Sequence, residues 1–169
     1  MGFGASAHIV VKTIKALFPD TKIYVFARNK NEQQFALELG CHWAGDIETN
    51  PPELMNAIID TTPVWNPIIY SMEKLKPAGR LVINAIRKEN IDIQSLTKLD
   101  YKNHLWMEKE IKSVANITKS DIIEFFELLE KIKIKPELQT YKFEEANKAI
   151  KEIKNQKIRG AKVLIINND

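Results

Sequence analysis

Short apolar runs alternate with stretches that carry apolar residues at helical spacing, and this alternation restricts the fold more than any other feature. Lys22–Ala27, Cys41–Gly45, Ala57–Thr61 and Arg80–Asn84 read as strands. Between them, Ile9–Leu17 is a helix stopped by Phe18-Pro19-Asp20, and Glu32–Leu39 is a helix stopped by Gly40. Asn66–Leu75 is a third helix, with Pro67 acceptable in its first turn. Strands joined through helices cannot be hairpins. Their solution is a parallel sheet with right-handed crossovers and helices on its faces.

The second half is less regular. Lys76-Pro77-Ala78-Gly79 reads as a turn, and Ile91–Leu99 is open between a helix and an irregular excursion. Glu110–Ile117 alternates as a half-exposed strand does, and Thr118-x-x-Asp121 is a capping box for a helix over Ile122–Ile132. Glu137–Phe143 is extended, Glu144–Lys154 is helical, Ile158-Arg159-Gly160 is a turn and Lys162–Ile166 is a final strand. A boundary near Lys133–Pro136 divides the chain into 1–135 and a strand-helix-strand tail, 136–169.

The chain opens Gly2-Phe3-Gly4-Ala5-Ser6-Ala7-His8, a G-x-G-x-x-A turn running into a helix. Gly2 permits a tight turn, Gly4 permits close approach of backbone to a diphosphate, and Ala7 lets the helix lie close on a strand. Free N–H groups at the helix start, Ala5 and Ser6 among them, would meet the phosphates. A dinucleotide-binding domain of Rossmann type is therefore expected. The strand that should precede such a turn is absent ahead of Met1. In the order 3-2-1-4-5-6 that strand is central, so the gap must be filled. The apolar run Val163–Ile166, or its equivalent in a partner chain, is one candidate; the other expectation keeps this run in the tail.

A nicotinamide cofactor is held at the ribose by an acidic residue about 20 residues beyond the turn in NAD enzymes. Here that place reads Ala27-Arg28-Asn29, without a carboxylate. The guanidinium of Arg28 suits a 2′-phosphate, so NADP is favoured over NAD; the plain alternative is a solvated loop residue. Ligands in open α/β sheets lie at strand carboxyl ends, which singles out Thr61 and Thr62 after one strand and Asn84, Ala85 and Ile86 after another. Thr62 and Asn84 are equally at home as turn formers.

Composition narrows the rest. With 169 residues, net charge +3 and 28% charged residues, the chain is an ordinary globular domain with a solvated surface, not a nucleic-acid binder. No apolar run reaches membrane-spanning length, and the lone Cys41 fits a reducing cytoplasm. Cys41, His42, His8 and His104 are too scattered for a metal site, and no catalytic residue is expected in this chain. The tryptophans at 43, 65 and 106 read as core or interface groups.

These segments together resemble the zinc-type medium-chain alcohol dehydrogenases. The glycine turn with His8, Ala36-Leu37-Glu38-Leu39-Gly40, Leu75-Lys76-Pro77-Ala78-Gly79-Arg80-Leu81-Val82, Lys109-Glu110 with Ser113-Val114, and Phe143-Glu144-Glu145-Ala146-Asn147 through Gly160-Ala161-Lys162-Val163 fall in the family's order. The resemblance implies an oxidoreductase moving hydride between NAD(P) and an alcohol or aldehyde, with Asn84–Ile86 beside the nicotinamide. It implies a zinc held by a separate catalytic half, and a homo-oligomer formed through the edge near 111–117. A non-enzymatic nucleotide-binding module and a zinc-free quinone reductase relative are the rival readings.

Overall fold

The computed structural model describes residues 1–155 and 159–166. It is the expected α/β fold with parallel strands. Strands β1 (Tyr24–Phe26) and β2 (Trp43–Gly45) pair in parallel. Strands β3 (Met55–Asp60), β4 (Leu75–Ile83) and β5 (Glu110–Ser113) form a second parallel sheet in that order. Met1 and Gly2 join the two. The Met1 nitrogen donates to the Ile59 carbonyl at 2.7 Å, Thr61 N–H donates to the Met1 carbonyl at 3.1 Å, and Gly2 N–H donates to the Phe26 carbonyl at 2.9 Å. The order across the molecule is thus β2-β1, the Met1–Gly2 step, then β3-β4-β5.

Helices cover both faces because strand side chains alternate. Val25 and Ala27 pack with Phe3, Phe35, Ala36 and Cys41, and so with helices α1 (Ala5–Leu17) and α2 (Lys30–Glu38). Phe26, between them in the chain, packs on the other side with Ile58, Ile68, Met72 and Leu81, and so with α3 (Asn66–Glu73). Leu81 and Met72 are fully buried, each worth about 1.5–3 kcal/mol of transfer free energy.

Several local expectations change. The turn at Lys76–Gly79 lies inside β4, as an irregularity where the register jumps between Met55 and Ala57. Pro77 has no N–H for the ladder, and Ala78 sits at φ 56, with its N–H donated to the Met107 carbonyl at 2.8 Å. Ile91–Leu99 resolves into a 3-10 segment, Asn90–Lys98, broken at Asp92. The cause is tertiary: the Asp92 carboxylate accepts from the N–H groups of Trp65 and Asn66 at the start of α3. The edge strand ends at Ser113, since Asn116 at φ 63 turns the chain away. The capping box forms as expected, with Thr118 and Asp121 starting α4 (Lys119–Ile132) one turn early.

The tail is β6 (Leu138–Lys142), α5 (Ala146–Lys154) and β7 (Ala161–Ile165), with β6 and β7 paired in parallel. This corrects one expectation: Val163–Ile166 does not fill the gap, because β7 finds its ladder partner in β6. The neighbouring sequence supplied an equally apolar strand, so the run never needed the sheet centre. Of the turn expected at 158–160, residue 158 lies outside the described residues, while Arg159 and Gly160 form a bend.

The tail is tied to α1. Lys12 Nζ donates to Glu137 at 2.8 Å and to the Lys135 carbonyl at 2.6 Å, and buried His8 accepts the Glu137 N–H on Nε2 at 3.1 Å. Burial, more than any charge, holds the His8 pKa below its usual 6.5. The folded state then binds fewer protons here than the unfolded chain, so stability falls as pH drops through 6.5. Urea unfolding between pH 6.5 and 5.5 should show that slope, and His8→Leu should flatten it. An unchanged slope in the variant would reject the assignment.

Candidate functional site

The start of α1 is built to receive an anion. Gly4 is its N-cap with no side-chain hydrogen bond, and no acidic residue sits in the first turn. The leading N–H groups of a helix lack intrahelical acceptors and carry the positive end of its dipole. A Cβ placed on Gly4 would meet nothing within 4 Å, so the space before these amides is open. Gly2 is different. It sits at φ +79, and a Cβ there would come within 2.8 Å of Thr61 Oγ1, so the turn closes tightly onto the end of β3. Turn and sheet are locked together, because Thr61 Oγ1 donates to the Met1 carbonyl at 3.0 Å.

Beside this helix start is a crevice of about 1030 Å³ at the carboxyl ends of β3 and β4. Ser6, Thr61, Asn84, Ala85 and Ile86 all line it, as expected from sequence, and Pro63, Arg87, Asn116 and Ile117 complete it. Ile86 is fully exposed at its rim. Ala5 is exposed on the same helix turn as Ser6, whereas Ala7 faces the α1–β1 core. Thr62 is turned inward: its hydroxyl donates to Asp60 at 2.7 Å. Arg28 and Asn29 follow β1, away from the lining of this crevice. Arg28 is exposed, and the Asn29 side chain accepts the Asn31 N–H at 2.8 Å, capping α2. Burial pushes the carboxyl of Glu32, on the first turn of α2, above its usual range, with Arg28 pulling it back.

Two features escaped the sequence reading. Asp60 is completely buried below the crevice and is met by Lys88, whose ammonium donates to Asp60 at 2.5 Å and to the carbonyls of Thr62 and Val64 at 2.8 and 2.9 Å. One lysine thereby fixes the loop that follows β3. An aspartate inside the apolar run Ile58-Ile59-Asp60 was a signal for a buried cation partner. Arg87 is the other omission, a second cation at the rim, 3.6 Å from Glu89. Nothing in its local sequence distinguishes it from a surface residue.

The remaining chemistry-bearing residues are structural. Cys41 is buried in the α1–α2 core and desolvation pushes its thiol up to about 11, which leaves it protonated and a poor nucleophile. His42 Nδ1 accepts the Ile23 N–H at 3.2 Å. Among the described residues no group of three or more His, Cys, Asp or Glu could hold a metal ion. No helix there is long and apolar enough to cross a membrane.

No family model matches the sequence. The chain is, however, 32% identical over 165 residues to the probable alcohol dehydrogenase AdhA of Mycobacterium tuberculosis, a match covering 98% of this chain and 46% of that protein. This chain is a relative of the alcohol dehydrogenases. It spans about half the length of the curated relative it matches. Solved structures agree on the fold. Acetophenone reductase from Geotrichum candidum, in complex with NAD, superposes with TM-score 0.75 at 18% identity, over 99% of this chain and 48% of that one. CAD from Helicobacter pylori, complexed with NADP(H), does so with TM-score 0.74 at 19% identity, over 96% and 46%. The alcohol dehydrogenase resemblance therefore runs through the glycine turn, the crevice and the tail alike.

Proposed function

We propose that this chain is the dinucleotide-binding part of an alcohol dehydrogenase-like oxidoreductase and that it binds a nicotinamide dinucleotide, NADP in preference to NAD. The observation that carries this reading is the open crevice at the strand ends, set against an uncapped helix start with clear space before Gly4. The site fits the group. Gly4, Ala5 and Ser6 would hold the diphosphate through backbone N–H groups, Thr61 would position the chain crossing the sheet, and Asn84, Ala85 and Ile86 would flank the nicotinamide. When bound, the cofactor supplies hydride transfer. The protein's share is orientation and exclusion of water by the Pro63, Ile86 and Ile117 rim.

The finer parts of the reading follow from the resemblance and the local chemistry. Residues 1–135 form the cofactor domain, and 136–169 belong with a catalytic domain. The zinc that polarises the substrate oxygen is held by another part of the parent enzyme, so this chain alone is expected not to oxidise alcohols. The exposed strand β5, with Ile111 and the following Val114 open to solvent, pairs with a second copy. The compartment is the cytoplasm.

Titration with NADPH and NADH tests the assignment. NADPH should bind more tightly. Arg28→Ala should weaken NADPH about 10- to 100-fold, as expected for losing a charge-assisted hydrogen bond worth about 1.5–3 kcal/mol, and leave NADH unchanged. Equal loss for both cofactors would remove Arg28 from the 2′-phosphate. Binding of neither would favour a non-enzymatic interaction module.

A further inference from the structure

Between β1 and β3 the sheet is joined only by Met1 and Gly2, while both flanking strands continue past them. The bonds from Met1 to Ile59 and from Thr61 to Met1 make one step of a parallel ladder opposite Asp60. In such a ladder alternate residues turn both backbone groups to the same neighbour. Ile59 and Phe26 set the parity, so Ala57 and Tyr24 present their N–H and C=O groups to the gap, joined there by the N–H groups of Phe26 and Ile59. The gap is a groove of about 500 Å³. Its roof is the stripe Ala7, Val10, Val11 and Ile14 of α1, an apolar face at helical spacing with no strand beneath it. Unpaired backbone on two sides and an apolar roof describe a vacancy for one strand.

The direction and the end of that strand are also marked. It must run parallel to β1 and β3, so its carboxyl end arrives at the Met1 nitrogen. That nitrogen is a buried ammonium in a ladder position, and desolvation lowers its pKa to about 6 despite Asp60 nearby. An anion placed against it would restore the charged form.

We infer that this groove docks the C-terminal end of a second polypeptide, about five apolar residues long, which adds as a parallel strand between β1 and β3 and sets its terminal carboxylate against the Met1 amine. The sheet geometry alone supports this, whatever the crevice binds. An apolar strand fits because its two faces would meet the α1 stripe and the Phe26–Ile58 core.

The test uses the 169-residue chain and a synthetic peptide, acetyl-Glu-Gly-Ser-Gly-Val-Val-Ile-Val-Ile with a free carboxylate. Saturable binding is expected, with amide exchange at Phe26, Ala57 and Ile59 slowed at least about tenfold. The C-terminal amide of the same peptide should bind about tenfold more weakly. Val10→Glu should abolish binding while leaving the circular dichroism spectrum unchanged, and Ala57→Pro should do so by removing one donor from the groove. No saturable binding, binding without protection of those amides, or equal binding of the amidated peptide would overturn the inference. So would concentration-dependent protection of the chain without peptide, which would make a second copy the occupant. NADPH titration of the same samples reads the crevice separately.

Discussion

Lys88→Met is expected to destabilise the protein by about 3–5 kcal/mol, more than any other single change at the site. Its ammonium is the counter-charge of a carboxylate with no exposure at all, and it also satisfies the carbonyls of Thr62 and Val64. Removing it leaves Asp60 charged and buried, with only Thr62 and the Met1 amine near it. The midpoint of urea unfolding should fall accordingly, without a change in slope. A second change should recover much of the loss: Asp60→Asn in the Lys88→Met background removes the uncompensated charge and keeps the acceptor for Thr62. A midpoint that barely moves in Lys88→Met would show that Asp60 is paired elsewhere. Because the same lysine fixes the loop after β3, NADPH affinity should fall in the single variant at temperatures where it is still folded.

Gly4→Asp should separate binding from stability in opposite directions. At φ −104 the N-cap suits an L residue, and its Cβ would meet nothing within 4 Å. An aspartate there caps α1 and complements its dipole, so stability should hold or rise by about 0.3–1 kcal/mol. The same carboxylate occupies the amides offered to a diphosphate and opposes its charge. At about 4 Å and an effective dielectric near 20, like charges cost about 4 kcal/mol, enough to weaken NADPH about 100-fold or more. Retained NADPH affinity in a stable Gly4→Asp protein would move the diphosphate away from this helix and leave the crevice without its main anchor.

Much of the architecture was legible because it is written in local periodicity. The strand and helix order up to β4 follows from short apolar runs set between helical stripes. The Thr118–Asp121 box and the glycine turn are signals of a few residues whose geometry is fixed by nearest neighbours. The site was legible where it depended on strand ends: Ser6, Thr61, Asn84, Ala85 and Ile86 meet in one crevice because parallel strands finish on one side of a sheet. It was not legible where it depended on side chains meeting through space. Thr62 turns inward only because Asp60 is there to accept its hydroxyl, and Asn29 spends its side-chain oxygen on capping α2. Pro77 and Ala78 read as a turn, yet the chain resumes the same strand on the far side of the irregularity.

The amino-acid order by itself determined which segments extend, which coil and where the anion-binding turn lies, since each of these is settled by residues within a few positions of one another. The folded structure alone decided that Lys88 reaches Asp60, that β7 chooses β6, and that Met1 and Gly2 bridge β1 to β3. Those outcomes pair groups far apart in the chain, and several sequence-compatible partners compete for each. Only the closing of every backbone and charge pairing at once selects among them.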